Sequence, residues 1–468
     1  MKNHKKIIVC LLCVLLTLPL VSCNPTAIKD PLANGETQES TLGNDAPNLW
    51  APLISEQEAR EDFGFGSRQD TVHPAINARK CYGEFVYYRG EYTFEGIENA
   101  KPVKLLLRYN METGKSEPAC RDSACTHDKD DCPLYKPDEI KRFFIDDGVL
   151  YYLRVKLKPS GKIDTSKAGG IHSYNLKTME YKYLCKWEGC ESTFLDLYGD
   201  FIYYLQYDFH TDDNGYDVWV WSCNINSGET EKLFCWGNET DTMFQGRQPM
   251  TIDEKGRLIF QNIKNGYMPP EEKEVDIVFE AAELKKAAEP QVLGKEQKIN
   301  MSFNTFVGFV YANSKIYYPE KVGKKMYSIT ENGQSVQIPV YYYTVRSIDL
   351  ESGETKTVIE NTAGNFAIGG KYLYCTPFKP KMVNLESGQT VITTYGEVIQ
   401  INLETGEERC FEIGENIELG LIGQNFFYYR GRLFANIVDT DIGTLFYAEF
   451  DIPTGKYRES IPEMVNVS

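Results

Sequence analysis

Residues 146–152 read Asp146-Asp147-Gly148-Val149-Leu150-Tyr151-Tyr152, a turn followed by a short aromatic strand, and this unit recurs along the chain. It returns as GEFVYY ending at Tyr88, YGDFIYY at Tyr204, EKGRLIF at Phe260, NSKIYY at Tyr318, GGKYLY at Tyr374 and GQNFFYY at Tyr429. Successive markers from Tyr88 to Tyr429 stand 64, 52, 56, 58, 56 and 55 residues apart. A second pattern keeps step with the first. It reads YNMETGK around Gly114, YNLKTME around Met179, CNINSGE around Gly228, ELKKAAE around Ala287, IDLESGE around Gly353, INLETGE around Gly406 and DIPTGK around Gly455. An Asn or Asp at the start of such a turn accepts hydrogen bonds from the backbone just ahead, and a late Gly takes the positive φ that a tight connection demands. Met179 and Ala287 break the glycine rule, so those two turns are expected to be longer or differently shaped.

A unit repeated at near-constant spacing, with alternating strands and turns and no long helical pattern, cannot bury its apolar face alone. A ring of such units buries it and removes exposed strand edges. The expected fold is therefore all-β, a single β-propeller of seven four-stranded blades; two packed β-domains sharing similar hairpins are the alternative. The spacing exceeds the usual propeller repeat of about 40 to 50 residues, which assigns the excess to loops at residues 93–101, 156–169, 265–275 and 327–339. Asn384-Leu385-Glu386-Ser387-Gly388 marks an added hairpin inside the sixth unit. Residues 50–80 precede the first repeat, and the stretch from Ser55 carries a helix-start signal.

Composition narrows the function. The 468 residues carry 50 Lys+Arg against 67 Asp+Glu, a net charge of −17, which leaves no footprint for nucleic-acid phosphates. The 31 Tyr and 24 Phe favour pleated β-surfaces, and much of that surplus is the recurring strand itself. Lys2, Lys5 and Lys6 precede an uncharged stretch from Ile7 to Leu20, too short to span a bilayer and suited to a signal peptide. Residues 1–22 are read as that signal. Its end, Leu20-Val21-Ser22-Cys23, resembles the lipobox of bacterial lipoproteins, which implies cleavage before Cys23, lipidation of its thiol and a membrane-anchored, extracytoplasmic location. Processing would remove three Lys and shift the charge from −17 to −20. Residues 23–50 form a Pro-, Gly- and Asn-bearing tether with a reach of roughly 25 to 30 Å, and residues 51–468 form the propeller domain.

Thirteen cysteines are present; Cys10 and Cys13 lie in the signal and Cys23 takes the lipid, which leaves ten. Cys120 and Cys125 share a C-x4-C spacing with Cys185 and Cys190 at equivalent places, a pattern that suits local disulfides in an exported protein. The first pair belongs to Cys120-Arg121-Asp122-Ser123-Ala124-Cys125-Thr126-His127-Asp128-Lys129-Asp130-Asp131-Cys132-Pro133. Here Cys120, Cys125, His127 and Cys132 match a zinc ligand set in type, while lacking the usual C-x2-C knuckle. Zinc and a disulfide, with the third cysteine paired elsewhere such as to Cys81, both stand. The stretch CRDSACTHDKDDCPLY also resembles a signature of clostridial-type exported β-propeller lipoproteins described as low-density-lipoprotein-receptor-like. That resemblance implies a propeller and a lipid anchor and carries over no catalytic residue.

No nucleophile elbow, H-E-x-x-H, phosphate loop or dinucleotide fingerprint occurs. After processing the histidines are His73, His127, His172 and His210. Residues 211–219 faintly resemble a calcium loop. Trp187, Trp219, Trp221 and Trp236 fall within two units and are candidates for a sugar-stacking ligand face. The function expected is a surface-anchored module that binds a protein partner or a glycan without chemistry and without an obligate cofactor; the alternative is a glycan-acting hydrolase or lyase on the same scaffold.

Overall fold

The computed structural model describes residues 51–55 and 80–459, with breaks at 95–101, 123, 126, 128–131, 162, 165–166, 168, 188–193, 210–215, 239–246, 265–272, 302–308, 332–333, 385–389, 413–416, 421–426, 440–443, 453 and 455. The signal, Cys23, the tether, the helix signal after Ser55, His73, Cys190, His210 and most of the 211–219 loop lie outside these residues. All described residues belong to one compact unit, Ser40–Ser468.

The chain is all-β and forms a β-propeller. Antiparallel quartets follow one another in sequence order. The first blade comprises Cys81–Tyr82, Phe85–Tyr92, Val103–Asn110 and Lys115–Pro118, and the second Ile140–Asp146, Val149–Arg154, Gly169–Asn175 and Tyr181–Trp187. The third runs from Leu195–Tyr198 to Thr230–Asn238 and the fourth from Arg247–Ile252 to Gln291–Met301. Blade-to-blade apolar clusters cover the seams in turn. One joins the first blade to the second through Tyr87, Leu106, Phe143 and Tyr152, and another joins the last to the first through Phe434, Tyr429, Val86 and Tyr88.

Beyond the fourth blade the hydrogen-bonded sheets depart from seven separate quartets: two seven-stranded sheets follow, so the described sheets number six. The reason is local. Thr355–Gly369 pairs along its first half with Gln334–Asp349 and along its second half with Tyr372–Pro377, so one strand is outermost in the fifth quartet and innermost in the sixth. The second fusion comes from the added hairpin, Pro380–Asn384 with Thr390–Tyr395, which reaches the last quartet through Ile417–Gly420. Counted by strands, the described residues give seven successive quartets if Thr355–Gly369 is shared between two of them, the last being Phe427–Tyr429, Arg432–Asp439, Thr444–Asp451 and Lys456–Glu459.

Three sequence expectations change. The turn at Met179 is not longer: Asn175 Oδ1 accepts from Lys177 N and Thr178 N, and Met179 N donates to Asn175 O at 2.8 Å, as Gly114 N does to Asn110 O. Met179 itself takes the left-handed φ of 63° that glycine takes elsewhere. Ala287 is a different turn, its N–H donating to Leu233 O in the neighbouring blade. Residues 327–339 are not a loop, because Lys315–Glu331 and Gln334–Asp349 pair as one long ribbon out to Glu331 and Gln334. The seventh aromatic marker also sits one strand early: Phe427–Tyr429 is an innermost strand, and the counterpart of Leu373 and Tyr374 is Leu433 and Phe434.

Candidate metal centre

The segment that carries the chain from the last strand of the first blade to the first strand of the second begins and ends pinned to the same edge. Ala119 N donates to Leu106 O at 2.9 Å, Leu106 N donates to Leu134 O, and Leu105 bridges Tyr135. Between those pins the chain turns back on itself. Asp122 Oδ1 accepts from Ala124 N at 2.9 Å and Cys125 N donates to Asp122 O, an Asx turn of the kind a short polar side chain stabilises. His127 adopts a left-handed φ of 57°.

This folding brings Cys120, Cys125, His127 and Cys132 together, with one donor atom from each inside 4.8 Å of the others. Cys120, Cys132 and His127 are buried and Cys125 is half-buried. His127 Nδ1 lies 3.7 Å from Cys132 Sγ, and the imidazole stacks flat on Phe94 at 5.8 Å. The second blade reaches in: Tyr174 Oη donates to Cys120 Sγ at 3.8 Å. It also grips the frame, since Tyr152 Oη and Arg154 Nη1 both donate to Pro133 O, and Arg154 Nη2 donates to Tyr135 O at 2.9 Å. The hydrogen bond from Cys132, opposed by burial, pulls the Cys120 thiol down to about 5. The same contact and burial push Cys132 up, and burial pushes Cys125 up.

Cys132 thus lies beside both Cys120 and Cys125, whereas Cys81 packs among Val86, Tyr88 and Leu107 in another apolar cluster. No disulfide joins the cysteines among the described residues. Cys185 is hydrogen-bonded to Cys223 of the next blade.

Two of the four candidate tryptophans are buried and two are half-buried. Trp187 and Trp236 are buried in the core of the second to fourth blades, with Trp187 Nε1 donating to Leu205 O at 2.9 Å. Trp221 is half-buried against that core, and the Trp219 ring is capped by the Lys232 ammonium at 3.8 Å. His172 is a packed histidine, stacked on Tyr152 and Tyr181 with Nδ1 2.7 Å from Tyr181 Oη.

Four buried acids are engaged, Glu449 and Asp196 across blade seams. Glu449 accepts from Tyr109 Oη of the first blade at 2.6 Å and from Arg458 Nε at 2.9 Å; Asp451 accepts from Arg432 Nη1 at 2.9 Å and from Ala51 N at 2.7 Å. Asp196 accepts from Leu197 N and, across to the fourth blade, from Ile252 N. Asp253 holds Arg257 through both carboxylate oxygens.

Sequence reasoning missed one charged feature. Lys80 precedes the innermost strand of the first blade and Arg142 is the third residue of that of the second, and Arg89, on the return strand of the first blade, donates from Nη2 to Lys141 O at 3.1 Å. Lys80 lies 5.5 Å over the Phe143 ring; burial first, then Arg89 and Arg142, pushes its ammonium down to about 8. Nothing in the spacing of these four residues marks them, because topology alone brings them together.

No family model matches the sequence, and no curated protein matches it. Solved structures similar to the chain include an acylaminoacyl peptidase of Pyrococcus horikoshii, at 13% identity and TM-score 0.45, covering 84% of this chain and 53% of that one. A puromycin hydrolase is similar at 10% identity and TM-score 0.44, covering 89% and 57%. An oligogalacturonate lyase of Vibrio parahaemolyticus is similar at 10% identity and TM-score 0.38, covering 83% and 90%. The chain spans little more than half the length of the first two.

Proposed function

We propose that the protein is a lipid-anchored, extracytoplasmic binding module, tethered through Cys23, whose propeller holds an acidic ligand, a glycan or a segment of a partner protein, without chemistry. The observation that carries this reading is the gathering of half-buried Arg89, Lys141 and Arg142 in front of buried Lys80, near the innermost strands of the first two blades. In a chain of net charge −17 such a gathering concentrates the attraction for an anion at one place. Four of the buried acids are held in ways that do not suit a carboxylate pair for glycan cleavage. Glu449, Asp451 and Asp253 are bound to guanidinium groups, and Asp196 to backbone amides across a seam.

The test uses the full chain in detergent against acidic and neutral glycans and acidic peptides, with product analysis of each incubation. Binding of an acidic ligand that weakens at least tenfold in Arg142→Ala, with no product formed, is expected. Cleavage or elimination of any glycan would overturn the reading in favour of a hydrolase or lyase. Metabolic labelling with a fatty acid addresses the anchor: label is expected on the native chain and absent from Cys23→Ser, and unlabelled native protein would refute it.

A further inference from the structure

We propose that Cys120, Cys125, His127 and Cys132 bind one zinc(II) ion, and that this ion fastens the first blade to the second. Three sulfurs and one imidazole are the donor set that a tetrahedral structural zinc takes. With zinc–sulfur bonds of about 2.3 Å, the edges of such a tetrahedron are about 3.8 Å. The four donor atoms already lie within 4.8 Å, so a contraction of an ångström or less closes the site.

The frame around the donors favours a metal over a disulfide. A disulfide would join two of the three sulfurs and leave the third thiol and the imidazole buried beside it; a zinc ion engages all four. The donors also come from one stretch of 13 residues, so the loop that must close is short and its entropic cost low. Its ends are already tied to the first blade through Leu105 and Leu106. Metal sites are steadied by groups that hold their ligands. Here Tyr174 of the second blade donates to Cys120 Sγ, Phe94 of the first blade covers the His127 ring, and Arg154 and Tyr152 fix the carbonyl of Pro133, next to Cys132. Ligands from the connection, with supports from both blades, make the site a staple across the seam. Binding is balanced by release of protons: each cysteine that ligates as a thiolate gives one up, to a maximum of three per ion.

The experiment takes the full chain, purified in detergent without added chelator, and measures zinc by plasma mass spectrometry together with thiols under denaturing conditions. One zinc per chain is expected, falling to background in Cys132→Ser and unchanged in Cys235→Ser, whose cysteine is exposed and remote from the cluster. Cobalt exchange supplies a readout in folded protein, where the intense visible bands of a tetrahedral cobalt–thiolate centre are expected. Tyr174→Phe, which removes only the supporting hydroxyl, should weaken the metal about tenfold. Removing the ion should speed amide exchange in Gly169–Asn175 as well as in the connection, since the staple reaches both blades. Chain without stoichiometric metal, a chain two hydrogens lighter through a bond among these cysteines, or a cobalt spectrum indifferent to Cys132→Ser would each overturn the proposal.

Discussion

The first blade has two neighbours and is joined to them by opposite kinds of chemistry. Toward the second blade the meeting point is a local segment whose soft donors lie within 13 residues of one another. Toward the last blade it is a buried network of charge. Tyr109 and Glu449 meet across 340 residues, Arg458 reaches the carbonyls of Met111 and Glu112, and Arg430 donates to Gly83 O at 2.7 Å. No strand from the start of the described chain completes the last blade; residues 51–55 instead lie on it through Arg432, Arg430 and Asp451. Among the described residues, the hydrogen bonds from the last blade to the first come from side chains. The local seam can form early, whereas the closing seam needs the whole chain in place before its contacts repay the entropy of loop closure.

The largest effect should come from breaking the closing seam. Glu449 is fully buried, with Arg432 Nε 3.2 Å and Arg458 Nη2 2.8 Å from its oxygens. Glu449→Ala removes the acceptor of the Tyr109 hydroxyl and the carboxylate that faces two buried guanidinium groups, a loss of about 3 to 5 kcal/mol in a denaturant titration. Asp138→Ala, which removes the exposed pair with Lys104 between the first two blades, should cost less than about 1 kcal/mol. Equal losses from the two variants would refute the view that closure rests on the buried charges.

A pH titration separates the two sides by sign. Burial, with Arg154 and Lys156 nearby, holds His172 down at about 4 from an ordinary value near 6.5. A group depressed in the folded state contributes stability that is present above pH 6.5 and is lost as the pH falls toward 4. The full difference amounts to about 3 kcal/mol. Glu449 moves the other way, raised by desolvation against the pull of Arg458, so its share grows as the pH falls through the carboxylate range. His172→Gln should flatten the loss of stability between pH 6.5 and 4 while leaving the closing seam intact. An unchanged slope in that variant would show that His172 does not titrate against folding.

How far these features could be read in the sequence depends on whether they are local. The Asn- or Asp-initiated turns were legible because the side chain that caps each turn sits two or three residues from the amides it serves. Cys120 to Cys132 were legible as a cluster for the same reason, although their supports, Phe94 and Tyr174, were not. The stretch FFYYRGRLF holds two aromatic runs back to back, so the repeat pattern could settle on the wrong one. The 327–339 ribbon carries turn-type residues at its tip and polar ones along its sides, which is what a loop also shows. Trp187 and Trp236 looked available for a ligand because composition gives no depth. Arg432, Glu449 and Asp451 are surface-type residues, and only closure of the ring buries them, as only topology gathers Lys80, Arg89 and Arg142.

The smallest effect lies in the turn that the sequence singled out wrongly. Met179 occupies a left-handed position that its counterparts Gly114, Gly228, Gly353 and Gly406 fill with φ between 70° and 74°. An L side chain there pays about 1 kcal/mol for the approach of its Cβ to the carbonyl oxygen. Met179 is exposed, so shortening it gives up little packing. Met179→Gly should therefore raise stability by up to about 1 kcal/mol, less the extra backbone freedom glycine gains in the unfolded chain. Because the turn lies on the outer edge of the second blade, the gain should appear in the denaturant midpoint and leave the unequal losses of the Glu449 and Asp138 variants as they are. A loss of stability would mean that the methionine side chain holds the turn in a way its exposure does not reveal.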